Sequence, residues 1–218
     1  IGAFLQNYPK IFFHVDMTQS IGKDNISLEN IDLASFSAHK FFGPKGVGAA
    51  YIKENIDFDP VILGGHQEYC KRAGTENVAG IVGLGKAIEL ASSNIYEHNV
   101  YVSNLRDRLK DYITRNIKDI VINADIQNKL PGNISLTIKG IEAKNLLLML
   151  DMNGICVSSG SACNSQATNP SHVLTAMKVE KEDILSTIRI TLGDGNTIDD
   201  INYLGYKLEQ IINQIKKV

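Results

Sequence analysis

An amine at Lys40 and a thiol at Cys163 are the side chains of this sequence best suited to nucleophilic chemistry. Lys40 lies in Ser35-Phe36-Ser37-Ala38-His39-Lys40-Phe41-Phe42-Gly43-Pro44-Lys45-Gly46, after an apolar run and before a Gly-Pro turn. A lysine that condenses with a carbonyl must be partly neutral, and desolvation disfavours its charged form. Phe41 and Phe42 are expected to supply apolar cover, and Ser37 and His39 can donate hydrogen bonds to a phosphate. An ordinary exposed lysine is the alternative. Lys45 competes, but the glycines around its Pro-Lys pair point to a solvated turn.

Cys163 sits in Ser158-Ser159-Gly160-Ser161-Ala162-Cys163-Asn164-Ser165-Gln166, a run of small and polar residues that reads as a loop. A thiol there can move toward a substrate and react as thiolate. The ten residues before it hold no Lys or Arg, so its activation has to come from elsewhere in the fold. A harmless surface cysteine is the alternative, although exposed thiols are open to oxidation. Cys156, between Ile155 and Val157, reads as core, and Cys70 is ambiguous. Three cysteines at these spacings fit neither a disulfide framework nor a zinc site, so free thiols in a reducing cytosol are expected.

Three further groups carry binding chemistry. Asp16, in His14-Val15-Asp16-Met17-Thr18-Gln19, follows an apolar strand pattern, where α/β sheets bind ligands. Its carboxylate can favour a protonated ring nitrogen, the state in which pyridoxal phosphate acts as an electron sink. A solvated turn is the alternative. Thr75, after Arg72-Ala73-Gly74, precedes a long helical pattern and reads as its N-cap, at a place that also suits phosphate. Arg72 is a candidate anion contact or a surface arginine. Arg189, in the alternating Thr187-Ile188-Arg189-Ile190-Thr191, could grip a carboxylate bidentately or simply sit at a strand edge.

The elements that must position these groups read as α/β. Strands are expected at 11–17, 33–37, 47–53 and 61–64. Residues 76–117 lack Pro and repeat Val78, Ile81, Val82, Gly85, Ile88, Leu105, Leu109 and Ile113 at helical spacing, which predicts two helices with a boundary at 92–94 or one long bridging helix. Strands near 119–123, 133–138, 155–159 and 187–192 then alternate with helices at 142–153, 171–177 and 197–217. That order predicts a small α/β sandwich with helices on one face.

Composition sets wide limits. The 218 residues are 44% hydrophobic and 21% charged, with net charge −2, which suits a globular protein and gives no sign of a nucleic-acid or membrane-surface binder. No run of 18 apolar residues suggests a membrane span. The opening IGAFLQNYPKIFF lacks the pattern of a secretory leader, has no Met and starts in mid-pattern, which reads as a segment of a longer chain.

Five ordered blocks, HVDMTQSIGK, SFSAHKFFGPKGVGAAYI, GGHQEYCKRAGTENVAGIVGLGKAIELA, SSGSACNSQATNPSHVLTAM and IRITLGDGNT, together resemble the pyridoxal-phosphate-dependent cysteine desulfurases of the NifS/IscS type. The resemblance implies an α/β, PLP-dependent transferase fold of type I, aminotransferase class V-like. Residues 1–95 would be the C-terminal part of a truncated large, cofactor-binding domain, and 96–218 a small C-terminal α/β domain with the cysteine loop. It assigns the cofactor to Lys40, the ring nitrogen to Asp16, the ring hydroxyl to Gln19, and the phosphate to Ser37 and His39, with Thr75 reaching the partner subunit's phosphate. Arg189 would bind the carboxylate of L-cysteine and Cys163 would take the sulfur as a persulfide, leaving L-alanine.

The same resemblance implies a cytoplasmic homodimer that passes sulfur to an iron–sulfur scaffold protein or a tRNA-thiolation enzyme, with no direct nucleic-acid or membrane contact and no metal. Selenocysteine lyase, another type I enzyme such as an aminotransferase, and a catalytically idle interaction module are the competing readings. A chain lacking the first half of the large domain is expected to bind the cofactor poorly by itself.

Overall fold

The computed structural model describes residues 1–124, 130–159 and 170–216. The chain divides into two compact units, Ile1–Tyr96 and Glu97–Val218.

The first unit opens with a short helix α1 (Gly2–Leu5) and has a three-stranded sheet in the order β1 (His14–Asp16), β2 (Leu33–Ser37), β3 (Gly48–Ile52). β1 and β2 run parallel with His14 opposite Leu33 and Asp16 opposite Ser35. β3 is antiparallel to β2, with Ser37 opposite Gly48. Parallel pairing brings the carboxyl ends of β1 and β2 to one sheet edge. Helix α2 (Val78–Ser93) turns Leu84, Ala87, Ile88 and Ala91 onto a core of Met17, Ile21, Ile31, Ala34, Ala38 and Phe41. These four recur at helical spacing and form the inward stripe.

Three expectations change in this unit. The strand expected at 11–17 is reduced to His14–Asp16, because Ile11 and Phe12 point to solvent. Residues 61–64 form bends and no strand, with Val61 95% exposed and the next backbone contact made by Ala73 N–H to the Ile62 carbonyl. An apolar run without a paired neighbour has no ladder to join. In α2, Val78, Ile81 and Val82 face outward and only Ile88 of the expected stripe is turned in. Apolar residues on two faces of a helix leave its phase open to tertiary packing.

The second unit joins α3 (Ile95–Asn116) to an antiparallel sheet in the order β4 (Ile120–Asn123), β5 (Asn133–Ile138), β6 (Thr187–Thr191). α2 ends at Ser93 and α3 starts at Ile95, so the chain breaks at the expected Ser-Ser-Asn. Ile134, Leu136 and Ile138 of β5 and Ile188 and Ile190 of β6 share a core with α3, α4 (Ala143–Asp151) and α7 (Ile198–Ile215). Alternation puts these residues on one sheet face. On the other, Asn123 Nδ2 donates to Thr137 Oγ1 at 2.9 Å, and Thr137 Oγ1 is bonded to Thr187 Oγ1 at 2.7 Å. Buried polar groups are thereby paired with one another. α5 (His172–Ala176) and α6 (Lys181–Leu185) lead into β6.

Residues 155–159 form no strand of their own but make a single bridge, Ser158 to Arg189. Ile155 and Val157 pack on the core while Cys156 is exposed. Cys156 is therefore not a core residue: in extended backbone its apolar neighbours take the inward side and leave it the other.

Candidate cofactor and substrate site

The carboxyl edge of the β1–β2 pair gathers most of the chemistry. Asp16 is the last residue of β1, and its Oδ1 accepts the Thr18 backbone N–H at 2.9 Å. Hydrogen bonds from the Thr18 side chain and then its backbone hold the Asp16 carboxyl below the ordinary 3.8; slight burial opposes this and nearby His14 adds to it. His14 Nε2 is hydrogen-bonded to Ser35 Oγ at 3.1 Å, tying the two strands together beside Asp16. Asp16 is thus an exposed carboxylate at a strand end, with its charged form favoured by these hydrogen bonds.

β2 ends at Ser37, and a single 3₁₀ turn (Ala38–Phe41) carries His39 and Lys40. The turn is anchored at both ends. Ala38 N–H donates to the Val47 carbonyl at 3.1 Å, and Gly43 N–H donates to the Ala38 carbonyl at 2.9 Å. Ala38 and Phe41 are buried, with the Phe41 ring 6.2 Å from that of Phe36. α2 passes close by: a Cβ at Gly83 would lie 2.7 Å from Pro44 Cγ. Lys40 is half-buried and His39 exposed.

Phe41 and Phe42 do not jointly cover Lys40. Phe41 enters the core, and Phe42, left-handed at φ 64°, is 86% exposed. Consecutive residues at the end of a 3₁₀ turn face different ways. Lys45 lies exposed on the following turn, as its flanking glycines implied.

Thr75 is exposed but is not the N-cap of α2. Asn77 is, with its Oδ1 accepting the Gly80 N–H at 3.1 Å. Asn is as good a cap as Thr and stands nearer the first helical turn. Arg72 turns its Nη1 to the Ala73 carbonyl at 2.8 Å.

Gln19 stands on the turn after β1, where its Oε1 accepts a hydrogen bond from Lys23 Nζ at 3.2 Å. Burial, and then the charge of Lys40, push the Lys23 ammonium below its ordinary 10.5. Lys23 closes the HVDMTQSIGK block with no role of its own in the sequence, where its only signal is the four-residue spacing from Gln19.

In the second unit, Arg189 is the middle residue of β6, flanked by Ile188 and Ile190 in the core. It is not an edge position, since β5 pairs on one side and Ser158 bridges on the other. Its Nε is buried and has no hydrogen-bond partner among the described residues. A buried donor left open is costly without a ligand, and a guanidinium fork matches a carboxylate. Cys163 lies outside the described residues, five positions beyond Ser158.

The donors of the first unit fit pyridoxal phosphate. One sheet edge offers an ionised carboxylate for a protonated ring nitrogen, an amine for a carbonyl, and a hydroxyl and imidazole for a phosphate. The second unit, taken by itself, offers at Arg189 a buried Nε with no partner among the described residues.

Residues 1–204 match the family model described as aminotransferase class-V. The chain belongs to the aminotransferase class V family. Its mixed α/β architecture is that of the PLP-dependent transferases of fold type I. This class V chain is similar to a cysteine desulfurase IscS of Clostridium botulinum, 49% identical over 212 residues that cover 95% of this chain and 53% of that protein. It is 44% identical to the cysteine desulfurase IscS of Methanosarcina thermophila, over 96% of this chain and 52% of that one. Among solved structures, a NifS-like protein from Rickettsia africae superposes with a TM-score of 0.88 at 34% identity, covering 97% of this chain and 56% of that chain. A structure described as SspA in complex with cysteine matches with a TM-score of 0.70 at 30% identity, over 90% of this chain and 54% of that one. The chain spans about half the length of the curated relatives it matches. Among the described residues, no helix is long and apolar enough to cross a membrane.

Proposed function

We propose that this chain carries the lysine and thiol of a cysteine desulfurase, which converts L-cysteine to L-alanine and leaves a persulfide on Cys163. The observation that supports it most is the gathering of Asp16, Gln19, Ser37, His39 and Lys40 at the carboxyl edge of one parallel strand pair. The similarity to proteins named cysteine desulfurase selects the reaction within the family.

In this reading Asp16 holds the ring nitrogen of pyridoxal phosphate, Gln19 the ring oxygen, and Ser37 and His39 the phosphate. Bound there, the cofactor supplies a sink for the electron pair released at the substrate Cα. Lys40 takes and returns the Cα proton. Arg189 pairs with the substrate carboxylate and fixes which end of cysteine faces the thiol. The Cys163 thiolate attacks the substrate sulfur: an S–S bond forms, the C–S bond breaks, and its electron pair stays with carbon, which is protonated. One cysteine and one thiol give one alanine and one persulfide, with no external oxidant.

The working form in this reading is a cytoplasmic homodimer in which Thr75 reaches the phosphate bound by the partner subunit. An iron–sulfur scaffold protein or a tRNA-thiolation enzyme then accepts the sulfur.

The test is alanine and sulfane-sulfur production from cysteine by the complete protein with added pyridoxal phosphate. Lys40→Ala is expected to abolish both products and the yellow cofactor band, and Cys163→Ser to keep the band while losing the persulfide. Alanine formation undiminished in Lys40→Ala would refute the reading.

A further inference from the structure

The turn after β1, residues 17–24, carries an amine that none of the roles above uses. Lys23 Nζ donates to Gln19 Oε1 at 3.2 Å. Both residues are held by a well-bonded backbone. The N–H groups of Ser20 and Ile21 donate to the Met17 carbonyl at 2.9 and 3.2 Å, and those of Lys23 and Asp24 donate to the Ser20 carbonyl, each at 3.0 Å. Met17 and Ile21 are buried in the core below. Gly22 sits at φ +72°, and a Cβ there would lie 2.6 Å from Ala91 Cβ, so the turn is pressed against α2 at a place only glycine fits. The inner side of the turn is fixed, with Gln19 exposed and Lys23 half-buried. Gln19 follows the carboxyl end of β1 and Lys40 that of β2, and because the two strands run parallel both residues come off the same edge of the sheet.

A carboxamide has one accepting end and one donating end. With Oε1 engaged by Lys23, the Gln19 NH₂ is the end left to face a ligand. That is the correct end for an anionic oxygen and the wrong end for a donor.

We propose that Lys23 is a positioning residue: by binding Gln19 Oε1 it presents the Gln19 NH₂ as the hydrogen-bond donor to the ring oxygen of the cofactor held at Lys40. This rests on the cofactor reading given above. Without Lys23 the amide turns freely and spends part of its time with oxygen facing oxygen. A charge-assisted hydrogen bond that is only intermittently made loses about tenfold in binding.

The experiment is a titration of the complete apoprotein with pyridoxal phosphate, followed by absorbance and equilibrium dialysis. Wild type is compared with Lys23→Met, Lys23→Arg, Gln19→Leu and the Lys23→Met/Gln19→Leu double variant. Lys23→Met is expected to bind the cofactor about tenfold more weakly, with Lys23→Arg recovering most of the loss. In the Gln19→Leu background, Lys23→Met is expected to add nothing, because its effect runs through the amide. Gln19→Glu tests the same point without altering Lys23: it keeps an acceptor for Lys23 but has no donor, and is expected to fall as far as Gln19→Leu. Wild-type affinity in Lys23→Met or Gln19→Glu, or full additivity in the double variant, overturns the role of Lys23 and leaves the cofactor reading standing. Wild-type protein that binds no pyridoxal phosphate overturns both.

Discussion

Ser158 and Arg189 exchange backbone hydrogen bonds, the Ser158 N–H donating to the Arg189 carbonyl at 3.0 Å and the Arg189 N–H to the Ser158 carbonyl at 2.6 Å. The segment that leads to Cys163 therefore departs from the strand residue whose Nε has no hydrogen-bond partner among the described residues. Cys163 stands five positions beyond Ser158, which bounds the reach from this anchor to about 18 Å. In the proposed reaction, this bridge is the fixed point from which the thiol-bearing segment starts.

Arg189 Nε is buried and has no hydrogen-bond partner among the described residues, and the proposed role of the side chain is to bind the substrate carboxylate. Arg189→Ala is expected to raise KM for cysteine about tenfold or more, the value of a lost charge-assisted pair. Cofactor affinity and the urea midpoint should change little. Arg189→Lys should recover little, because an ammonium lacks the planar fork. Steady-state kinetics beside urea unfolding would check this; a large loss of stability with unchanged KM would make Arg189 structural.

The three thiols should separate cleanly. Cys163→Ser is expected to abolish persulfide formation with cofactor affinity unchanged. Cys156→Ser and Cys70→Ser should retain sulfur transfer, since Cys156 is exposed opposite its core-packed neighbours and Cys70 is engaged with His66 Nδ1 at 3.3 Å. Mass spectrometry of protein incubated with cysteine reads the added sulfur on each peptide.

Helix α7 starts with a reciprocal cap. Thr197 Oγ1 accepts the Asp200 N–H at 3.2 Å, and Asp200 Oδ2 accepts the Thr197 N–H at 2.8 Å. The Thr197 backbone N–H first, and its side chain second, hold the Asp200 carboxyl below the ordinary 3.8. A carboxyl whose folded pKa is depressed contributes stability that is present above its unfolded pKa and is lost as pH falls through the folded value. The stability gap between wild type and Asp200→Asn should hold at neutral pH and close as pH drops below the ordinary carboxylate value. Urea unfolding across that range measures it, and a gap that widens in acid would contradict the cap.

The core of the second unit should discriminate sharply between two leucines. Leu136 of β5 is fully buried, so Leu136→Ala should destabilise by about 2–5 kcal/mol through lost burial and a residual cavity. Leu148 of α4 is 63% exposed, and Leu148→Ala should fall within about 0.5 kcal/mol of wild type. Denaturant unfolding of both variants under one set of conditions provides the comparison.

Much of this was legible before folding, but unevenly. Strands β2 and β5 stand where Leu33–Ser37 and Asn133–Ile138 announced them, because a β-rich run between turn residues specifies its own geometry locally. The break between α2 and α3 was marked by Ser-Ser-Asn, which favours a helix end. The apolar run at 61–64 misled, because a strand exists only if another strand lies beside it. Asn77 was passed over as the cap of α2 in favour of Thr75, two residues earlier, since both residue types cap equally well and only the start of the helix distinguishes them.

By itself the sequence determined which groups are available and in what order: a carboxylate at the end of β1, an amine after β2, a thiol among small residues and an arginine in a strand. Those are covalent facts, and the chemistry of each side chain travels with it. Only tertiary structure decided that parallel pairing sets Asp16 beside Ser35, that Cys156 faces out, that α2 turns Leu84 and not Val82 inward, and that Arg189 Nε has no partner among the described residues. Each of these depends on what lies across space from a residue, and residues distant along the chain meet only once the chain has folded.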